Sequence, residues 1–378
     1  MTIFPSPPRC DIFCTVVDNY GDIGVCWRLA RQLAHEYAVT VRLWVDDLAS
    51  FGKLCREFDP LRDEQSCRQV EVRRWPRDWV AVPVADWVIE AFACELPPDY
   101  VTAMAAQPHP PVWINLEYLS AESWVEGCHG LPSPHPALPL TKYFFFPGFT
   151  PRTGGLLLER DLLARRDAFR RADNGLSLPV PSAALTVSLF AYENAAVGEW
   201  LQACCDGNQP VVCLVPEGRI LPQVAQFFGA ASGQAGQCWQ RGALQVVVLP
   251  FVEQERYDDL LWSCDVNFVR GEDSCVRAQW AAKPFVWQIY PQQDGVHLDK
   301  LAALLAHYQR DLPAAAAAAQ TGLWLAWNQE TGVAAAWAEF VRQLPSLRVR
   351  AQTWAAERAT HNLAANLYRF AQEKTVKD

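Results

Sequence analysis

Several features that would place this chain in a common functional class are missing from its sequence. No apolar run reaches the length of about 18 residues that a membrane-spanning helix needs. The first residues, MTIFPSPPRCDIF, lack the basic segment and following apolar segment of a secretion signal. We therefore expect neither a membrane protein nor a secreted one, and we place the chain in the cytoplasm.

Cysteine patterns of metal sites and an excess of positive charge are missing as well. The 13 cysteines form no CxxC pair and no Cys/His group with zinc spacing. Cys10, Cys14, Cys213 and Cys264 fall in or beside apolar runs, which predicts small buried side chains in a reducing compartment, without a structural metal. The net charge of −9 argues against general nucleic-acid binding.

What the chain does contain is enough apolar material for two large cores. It has 378 residues, 51% of them hydrophobic and 16 of them tryptophan, which is too long for one ordinary domain. Strand-like and helix-like segments alternate in two series, the pattern of parallel sheets covered by helices. We predict a first domain over residues 1–178, a linker within 173–182, a second domain over 183–354, and a C-terminal helix from about 355 to 378 that packs back on the first domain.

The predicted strands and helices follow this alternation closely. In the first series the strands are Asp11–Val17, Val39–Val45, Val70–Arg74, Trp87–Ala91 and Val112–Leu116, and in the second they are Leu185–Leu189, Val211–Val215, Leu244–Leu249, Val266–Val269 and Phe285–Ile289. The segment Glu117–Pro151, rich in Pro, Gly and aromatic residues, is predicted to be irregular. Its histidines, and His109 just before it, are expected at the solvated surface.

The most informative segment is CDVNFVRGEDSCVRAQWAAKPFVWQIYPQQ, at Cys264–Gln293. It predicts a strand, a polar turn (Arg270, Gly271, Glu272, Asp273 and Ser274), a helix from Cys275 and a second strand, which together make a βαβ unit. Such a turn lies at the carboxyl end of a strand and the N-terminus of a helix, where phosphate groups bind. Arg270 suits a diphosphate, and Glu272 suits sugar hydroxyls. The alternative is a helix cap with a surface ion pair.

A second polar turn, DNYGDIG, follows the first predicted strand. Asp18 and Asp22 flank Asn19, Tyr20 and Gly21, and Gly21 permits a backbone path that a Cβ would obstruct. Both carboxylates could then face an interdomain cleft. The alternative is that Asp22 only caps the helix that follows. Two α/β domains facing across a cleft are typical of GT-B glycosyltransferases, but also of some epimerases and phosphorylases, so this architecture alone leaves the function open.

Four motifs narrow the choice. DNYGDIGVCWRLARQLA, SLFAYEN, PFVEQERYDDLLWSCDVNFVRGEDSCVRAQWA and PFVWQIYPQQ resemble the protein-arginine rhamnosyltransferases that modify bacterial elongation factor P, and the likeness spans nearly the whole length. The resemblance implies a GT-B fold, dTDP-β-L-rhamnose as donor, an inverting transfer to one arginine of elongation factor P, and no cofactor or metal.

The resemblance also implies roles for individual residues. Asp22 matches a proposed general base and Asp18 a second essential aspartate, with Asn19, Tyr20 and Gly21 between them. Arg270 to Ser274 match the turn that binds the donor nucleotide. The positions matching the lining of the base, diphosphate or sugar site are Phe190, Tyr192, Phe251, Gln254 and Tyr290. The alternative for Phe190 and Tyr192 is packing between the domains. For Phe251 and Gln254 it is the structural role of a strand-end residue and a helix-start residue. A nucleotide-sugar epimerase and a GT-B transferase with a small-molecule acceptor are the competing functions.

Overall fold

The computed structural model describes residues 7–17, 20–170, 183–292 and 295–375. The chain forms two compact units: Met1–Arg160 together with Arg358–Asp378, and Asp161–Glu357. The first unit thus gives way to the second at Arg160, and not at residue 178 as the sequence led us to expect. The linker expected at 173–182 lies outside the described residues.

The first unit is built on an eight-stranded sheet with the order β3-β4-β2-β1-β5-β6-β8-β7. Its elements are β1 (Arg9–Cys14), α1 (Gly21–Tyr37), β2 (Thr40–Val45), α2 (Leu48–Leu54), β3 (Glu64–Cys67), β4 (Val70–Arg74), β5 (Trp87–Ala91), α3 (Pro98–Ala105), β6 (Val112–Leu116), α4 (Val125–Cys128), β7 (Pro132–Pro134) and β8 (Thr141–Phe145). The edge strands β3 and β7 pair antiparallel, and the other pairs are parallel.

The second unit is built on a six-stranded sheet with the order β11-β12-β10-β9-β13-β14. Its elements are α5 (Leu162–Ala168), β9 (Leu185–Leu189), α6 (Val197–Asp206), β10 (Val211–Pro216), α7 (Leu221–Phe227), β11 (Cys238–Arg241), β12 (Leu244–Leu249), α8 (Gln254–Ser263), β13 (Val266–Arg270), α9 (Gly271–Trp280), β14 (Phe285–Gln288), α10 (Val296–Tyr308), α11 (Ala314–Asn328), α12 (Val333–Arg342) and α13 (Leu344–Arg358). Again only the edge strand, β11, is antiparallel.

Each sheet reverses its strand order at one place. In the first unit the reversal lies between β1 and β5, and in the second it lies between β9 and β13. Open parallel sheets bind ligands beyond the carboxyl ends of the strands at such a reversal. Asp22 lies at the start of α1, the helix that follows β1, and Arg270 is the last residue of β13. Both motifs singled out in the sequence therefore lie at the position where this architecture places ligands.

The C-terminal segment divides between the two units. The helix expected from about residue 355 is two helices, α13 and α14 (Leu363–Thr375), and only the second belongs to the first unit. There α14 packs against α1 and β6. Gly155 makes the junction possible, because a Cβ at this position would lie 2.3 Å from the carbonyl oxygen of His361, and its φ is +86°.

Other expectations from the sequence need correction. The segment Glu117–Pro151 is not irregular throughout, since it contains α4, β7 and β8, and β8 pairs with β6 inside the sheet. β1 ends at Cys14 instead of Val17, because the next backbone N–H groups turn to side chains: that of Val16 donates to Asp46 Oδ1 at 2.9 Å.

The cores are apolar, as the composition predicts. Cys10, Cys14, Cys213 and Cys264 are buried as expected, and burial raises the pKa of Cys213 above its usual value. Within the described part of the chain, no helix combines the length and the apolar character needed to cross a membrane.

Candidate active site

At the β13–α9 junction of the second unit, the helix begins earlier than the sequence predicted. Helix α9 starts at Gly271 and not at Cys275, so Glu272, Asp273 and Ser274 form its first turn and Arg270 is the residue before it. Gly271 has φ +63°, which a side chain would disfavour. The Ser274 hydroxyl accepts the backbone N–H of Arg270 at 3.0 Å and donates to the carbonyl oxygen of the same residue. Serine thus fixes the backbone of the arginine that precedes the helix.

The Arg270 side chain is held between aromatic rings. Its guanidinium carbon lies 4.7 Å from the ring centroid of Phe190 and 4.6 Å from that of Tyr192, and the residue is 6% exposed. A guanidinium against an aromatic face is attracted by the ring quadrupole. Tyr290 packs edge-on against Tyr192 at 5.7 Å and is 41% exposed. The structure therefore brings together four residues that come from three different strand ends.

Helices α8 and α9 are joined by two polar contacts in matching register. Gln254 Nε2 donates to Asp273 Oδ2 at 3.2 Å. One turn further along both helices, Arg277 donates to both carboxylate oxygens of Asp258 at 2.8 and 2.6 Å, and this pair is almost wholly buried. The two contacts fix the N-termini of the helices side by side.

The sequence reasoning missed this pairing for one identifiable reason. Helix α9 was expected to start at Cys275, four residues later than it does. With the observed starts, positions 254 and 258 share one helix face, as do positions 273 and 277. The signal available was an i,i+4 pair of polar residues, Asp273 and Arg277, on either side of the predicted start.

The remaining donor-side candidates lie along the same sheet edge. Phe251 is half-buried and follows β12, which is separated from β9 by β10. Glu272 is half-buried in the first turn of α9. Tyr257, which the sequence analysis did not select, packs on Phe190 with ring centroids 5.4 Å apart.

In the first unit, Asp22 lies in the first turn of α1 and is 3% exposed. It does not cap the helix: the N-cap position is Tyr20, and Asp22 Oδ2 instead accepts the backbone N–H of Val17 at 2.9 Å. Gly21 is the first helical residue of α1. Other residue types also adopt the helical conformation, so the backbone here does not require glycine as the sequence analysis expected. Asp18 and Asn19 lie outside the described residues.

Two further carboxylates belong to the carboxyl-end side of the first sheet. Glu90, in β5, is 4% exposed and accepts from Lys142 Nζ at 3.1 Å and Trp113 Nε1 at 3.0 Å. Burial raises the pKa of Glu90, although the Lys142 ammonium opposes the shift. Glu117, just past β6, accepts from Asn115 Nδ2 at 2.6 Å. The signal for both was a charged residue at the end of an otherwise apolar strand.

Across residues 7–17, 20–170, 183–292 and 295–375, no three or more His, Cys, Asp and Glu side chains are grouped to hold a metal ion. The sequence-based expectation of metal-independent chemistry stays a prediction.

Two mostly parallel sheets, each with its polar motif at the point of strand reversal, define the GT-B fold. Solved structures share this fold at low identity: MurG of Acinetobacter baumannii matches with a TM-score of 0.51 and 12% identity over 97% of this chain and 100% of that one. This likeness concerns the fold alone.

The family follows from closer relatives. A family model described as "Elongation-Factor P (EF-P) rhamnosyltransferase EarP" matches residues 10–372. A protein-arginine rhamnosyltransferase of Pseudomonas putida is 52% identical over 95% of this chain and 97% of its own length, and one of Pseudomonas aeruginosa is 50% identical over 95% and 98%. A structure solved for "EarP-mediated arginine glycosylation of translation elongation factor EF-P" has a TM-score of 0.70 and 38% identity over 97% of this chain and 99% of that one. The chain belongs to the EarP family, and it is an enzyme.

Proposed function

We propose that this enzyme transfers L-rhamnose from dTDP-β-L-rhamnose to one arginine side chain of elongation factor P, with inversion at the sugar carbon. The observation that carries the proposal is Arg270, clamped between two aromatic rings at the strand reversal of the second sheet. Because the acceptor is a translation factor, we place the reaction in the cytoplasm.

The second unit is suited to hold the donor. The leaving group is a nucleoside diphosphate, whose developing charge needs preorganised positive partners. Arg270 supplies a full charge, and the first turn of α9 adds the partial positive charge of a helix N-terminus. Because that helix starts at Gly271, the N–H groups concerned are those of residues 271–273. Glu272 is assigned to the deoxyribose hydroxyl, and Phe251 and Gln254 to the neighbourhood of the base.

The first unit is suited to activate the acceptor. An arginine side chain has a pKa far above neutrality, so forming its neutral state costs roughly 8 kcal/mol at neutral pH. A carboxylate is too weak a base to deprotonate the guanidinium before the reaction starts. We infer that the proton leaves as the new bond forms, when the attacking nitrogen has become far more acidic, and that Asp22 receives it.

The transfer replaces one bond at carbon 1 of rhamnose with another. A bond forms between a guanidinium nitrogen and carbon 1 of rhamnose, and the bond from that carbon to the diphosphate oxygen breaks. The electron pair of the broken bond leaves with dTDP, and the proton moves from nitrogen to the Asp22 carboxylate. Asp18 is assigned to orient the planar guanidinium, which offers two parallel N–H donors to a carboxylate.

Intact-mass analysis of purified elongation factor P, after incubation with this enzyme and dTDP-rhamnose, tests the proposal. We expect the mass of one deoxyhexose to be added, with or without EDTA. A lysine in place of the acceptor arginine should block the addition, because lysine has no planar fork. Consumption of the donor without an acceptor would instead support an epimerase, and a strict Mg²⁺ requirement would contradict the metal-free mechanism.

A further inference from the structure

The Tyr192 ring contacts a second guanidinium besides that of Arg270. Arg219, in the loop after β10, has its guanidinium carbon 5.4 Å from the ring centroid, against 4.6 Å for Arg270. β10 and β13 are the two neighbours of β9 in the sheet, so the strand ends on both sides of β9 direct cations to the one ring that follows it. We propose that Arg219 is a second binding residue for the donor diphosphate, and that Glu193 occupies it until the donor arrives. The inference rests on the donor assignment made above.

The backbone that carries Tyr192 and Glu193 is fixed. Gln288, the last residue of β14, accepts the N–H of Tyr192 at 2.8 Å and donates to the carbonyl oxygen of Glu193 at 3.3 Å. The N–H of the next residue, Asn194, donates to Gln223 Oε1 at 2.8 Å. Because the main chain is held on both sides, the backbone positions from which the Tyr192 ring and the Glu193 carboxylate project are fixed.

Glu193 is placed to compete with an incoming anion. Arg219 Nε donates to both oxygens of the Glu193 carboxylate, at 2.8 Å to Oε2 and 3.0 Å to Oε1. Burial pushes the pKa of Glu193 upward, but the hydrogen bond from Arg219 and the nearby charge of Arg270 outweigh burial and lower that pKa. Glu193 thus responds to both cations, and it is ionised at neutral pH.

The charge count favours the diphosphate over Glu193. Arg219 and Arg270 carry two positive charges and Glu193 carries one negative charge, so the cluster keeps an excess of one. The diphosphate of a sugar nucleotide carries two negative charges. Because the side chains of Arg219 and Glu193 are 42% and 52% exposed, their ion pair is worth little and is easily exchanged. A doubly charged anion beside Arg270 would therefore draw Arg219 from Glu193.

The two members of this ion pair give an experiment with opposite expected signs. In the full-length enzyme, Arg219→Ala should raise the Kd for dTDP about 10–100-fold, the loss expected for a charge-assisted hydrogen bond. Glu193→Gln removes the competitor and should lower that Kd several-fold. Both substitutions abolish the same ion pair, so a merely structural bridge would move both values in the same direction. Isothermal titration calorimetry measures the change.

Two controls separate the diphosphate from general effects. Binding of thymidine, which lacks phosphate, should be unchanged in both variants. Arg348→Ala removes an arginine of similar exposure, paired with Asp265 at 3.2 Å, and should leave dTDP binding as it is. If the Kd for dTDP shifts equally in both variants, or in neither, the role of Arg219 is overturned. The donor assignment would still stand in that case, provided that the wild-type enzyme binds dTDP. A wild-type enzyme that does not bind dTDP would overturn the donor assignment, and this inference with it.

Discussion

The β1–α1 junction of the first unit and the β13–α9 junction of the second occupy equivalent places in their sheets, but the buried side chain that we single out in each carries the opposite charge. Each follows a parallel strand at the reversal of its sheet and leads directly into a helix. In the first, the side chain that we propose as functional is a buried carboxylate, Asp22, that accepts a backbone N–H at 2.9 Å. In the second, it is a buried guanidinium, Arg270, that lies against two rings.

The difference shows how one architecture can serve two reactants. Backbone topology fixes where a ligand binds, since both motifs lie at the strand reversal. Side-chain charge then decides which ligand it is: a carboxylate suits a cationic guanidine, and a guanidinium suits an anionic diphosphate. The predictions below test this division of labour between the units.

The largest effect is expected at Asp22. Asp22→Asn keeps an oxygen that can accept the Val17 N–H but removes the base, so kcat should fall about 10²–10⁴-fold. The Kd for dTDP should not change, because the donor site is assigned to the other unit. Rates of mass gain on the acceptor and calorimetry measure the two quantities.

A matched control for this change is Asp47, which follows β2 and caps α2 through the N–H groups of Ala49 and Ser50. Asp47→Asn should leave kcat nearly unchanged. If Asp22→Asn weakened dTDP binding while kcat held, the assignment of the two units would be reversed.

The second effect is expected at Arg270. Arg270→Ala should lower kcat/KM for the donor about 10²–10³-fold, because it removes a preorganised charge from the leaving group. Arg270→Lys should recover only part of the activity, since an ammonium lacks the planar group that stacks between the Phe190 and Tyr192 rings. Steady-state kinetics with varied donor concentration gives the ratio.

Arg241 provides the control for loss of a stacked arginine. It lies over the rings of Phe227 and Phe228 at 4.5 and 5.3 Å in the same unit, and Arg241→Ala should leave donor kinetics intact. Equal losses in both variants would mean that stacking, and not a specific phosphate contact, explains the result.

The sequence predicted the alternation of strands and helices well, and several strands, such as Val70–Arg74 and Leu244–Leu249, have the expected bounds. It failed at one helix start and at the short edge strands. Gly271 and Ser274 read as a turn, yet both belong to α9, because the Ser274 hydroxyl satisfies the backbone of Arg270 from within the helix. The edge strands β3, β7 and β11 are short and polar, so no apolar alternation marked them.

Candidate residues were easier to select than their partners. Arg270 and Asp273 stood out as charges in a turn, but their contacts depend on residues distant in the sequence. The contact between Gln254 and Asp273 spans 19 positions, and the ring of Tyr192 meets Arg219 from another strand. Such contacts follow from sheet order, which a single sequence does not specify.

The third prediction concerns how the second unit holds buried charge. Arg277→Lys keeps the positive charge beside Asp258 but cannot donate the two parallel hydrogen bonds at 2.8 and 2.6 Å. The free energy of unfolding should fall by about 1.5–3 kcal/mol. Urea unfolding followed by circular dichroism measures it. Replacing the whole pair, as in Asp258→Leu with Arg277→Met, should recover stability, because no buried charge is left unpaired; if the double variant is less stable than Arg277→Lys, the argument fails.

The smallest effect on stability is expected at His129 in the first unit, a partly buried histidine whose ring is neutral. His129 was expected at the surface, but it is partly buried; burial first, and then the nearby His361, lower its pKa to about 4. Its Nδ1 accepts the backbone N–H of Phe146 at 3.0 Å, which requires the neutral ring. A histidine has a pKa of about 6.5 in an unfolded chain, so the unfolded state binds the extra proton between pH 6.5 and 4. The free energy of unfolding should therefore fall as the pH drops through that window.

His129→Gln keeps an acceptor for the Phe146 N–H and removes the titrating group, so it should flatten the pH profile of stability between pH 4 and 6.5. Exposed His109 is the matched control, and His109→Gln should leave the slope unchanged. Urea unfolding at several pH values reports the slope. If the stability of His129→Gln depends on pH as steeply as that of the wild type, other groups carry the dependence. The contrast between the neutral His129 in the first unit and the paired charges of Arg277 and Asp258 in the second would then lose its support.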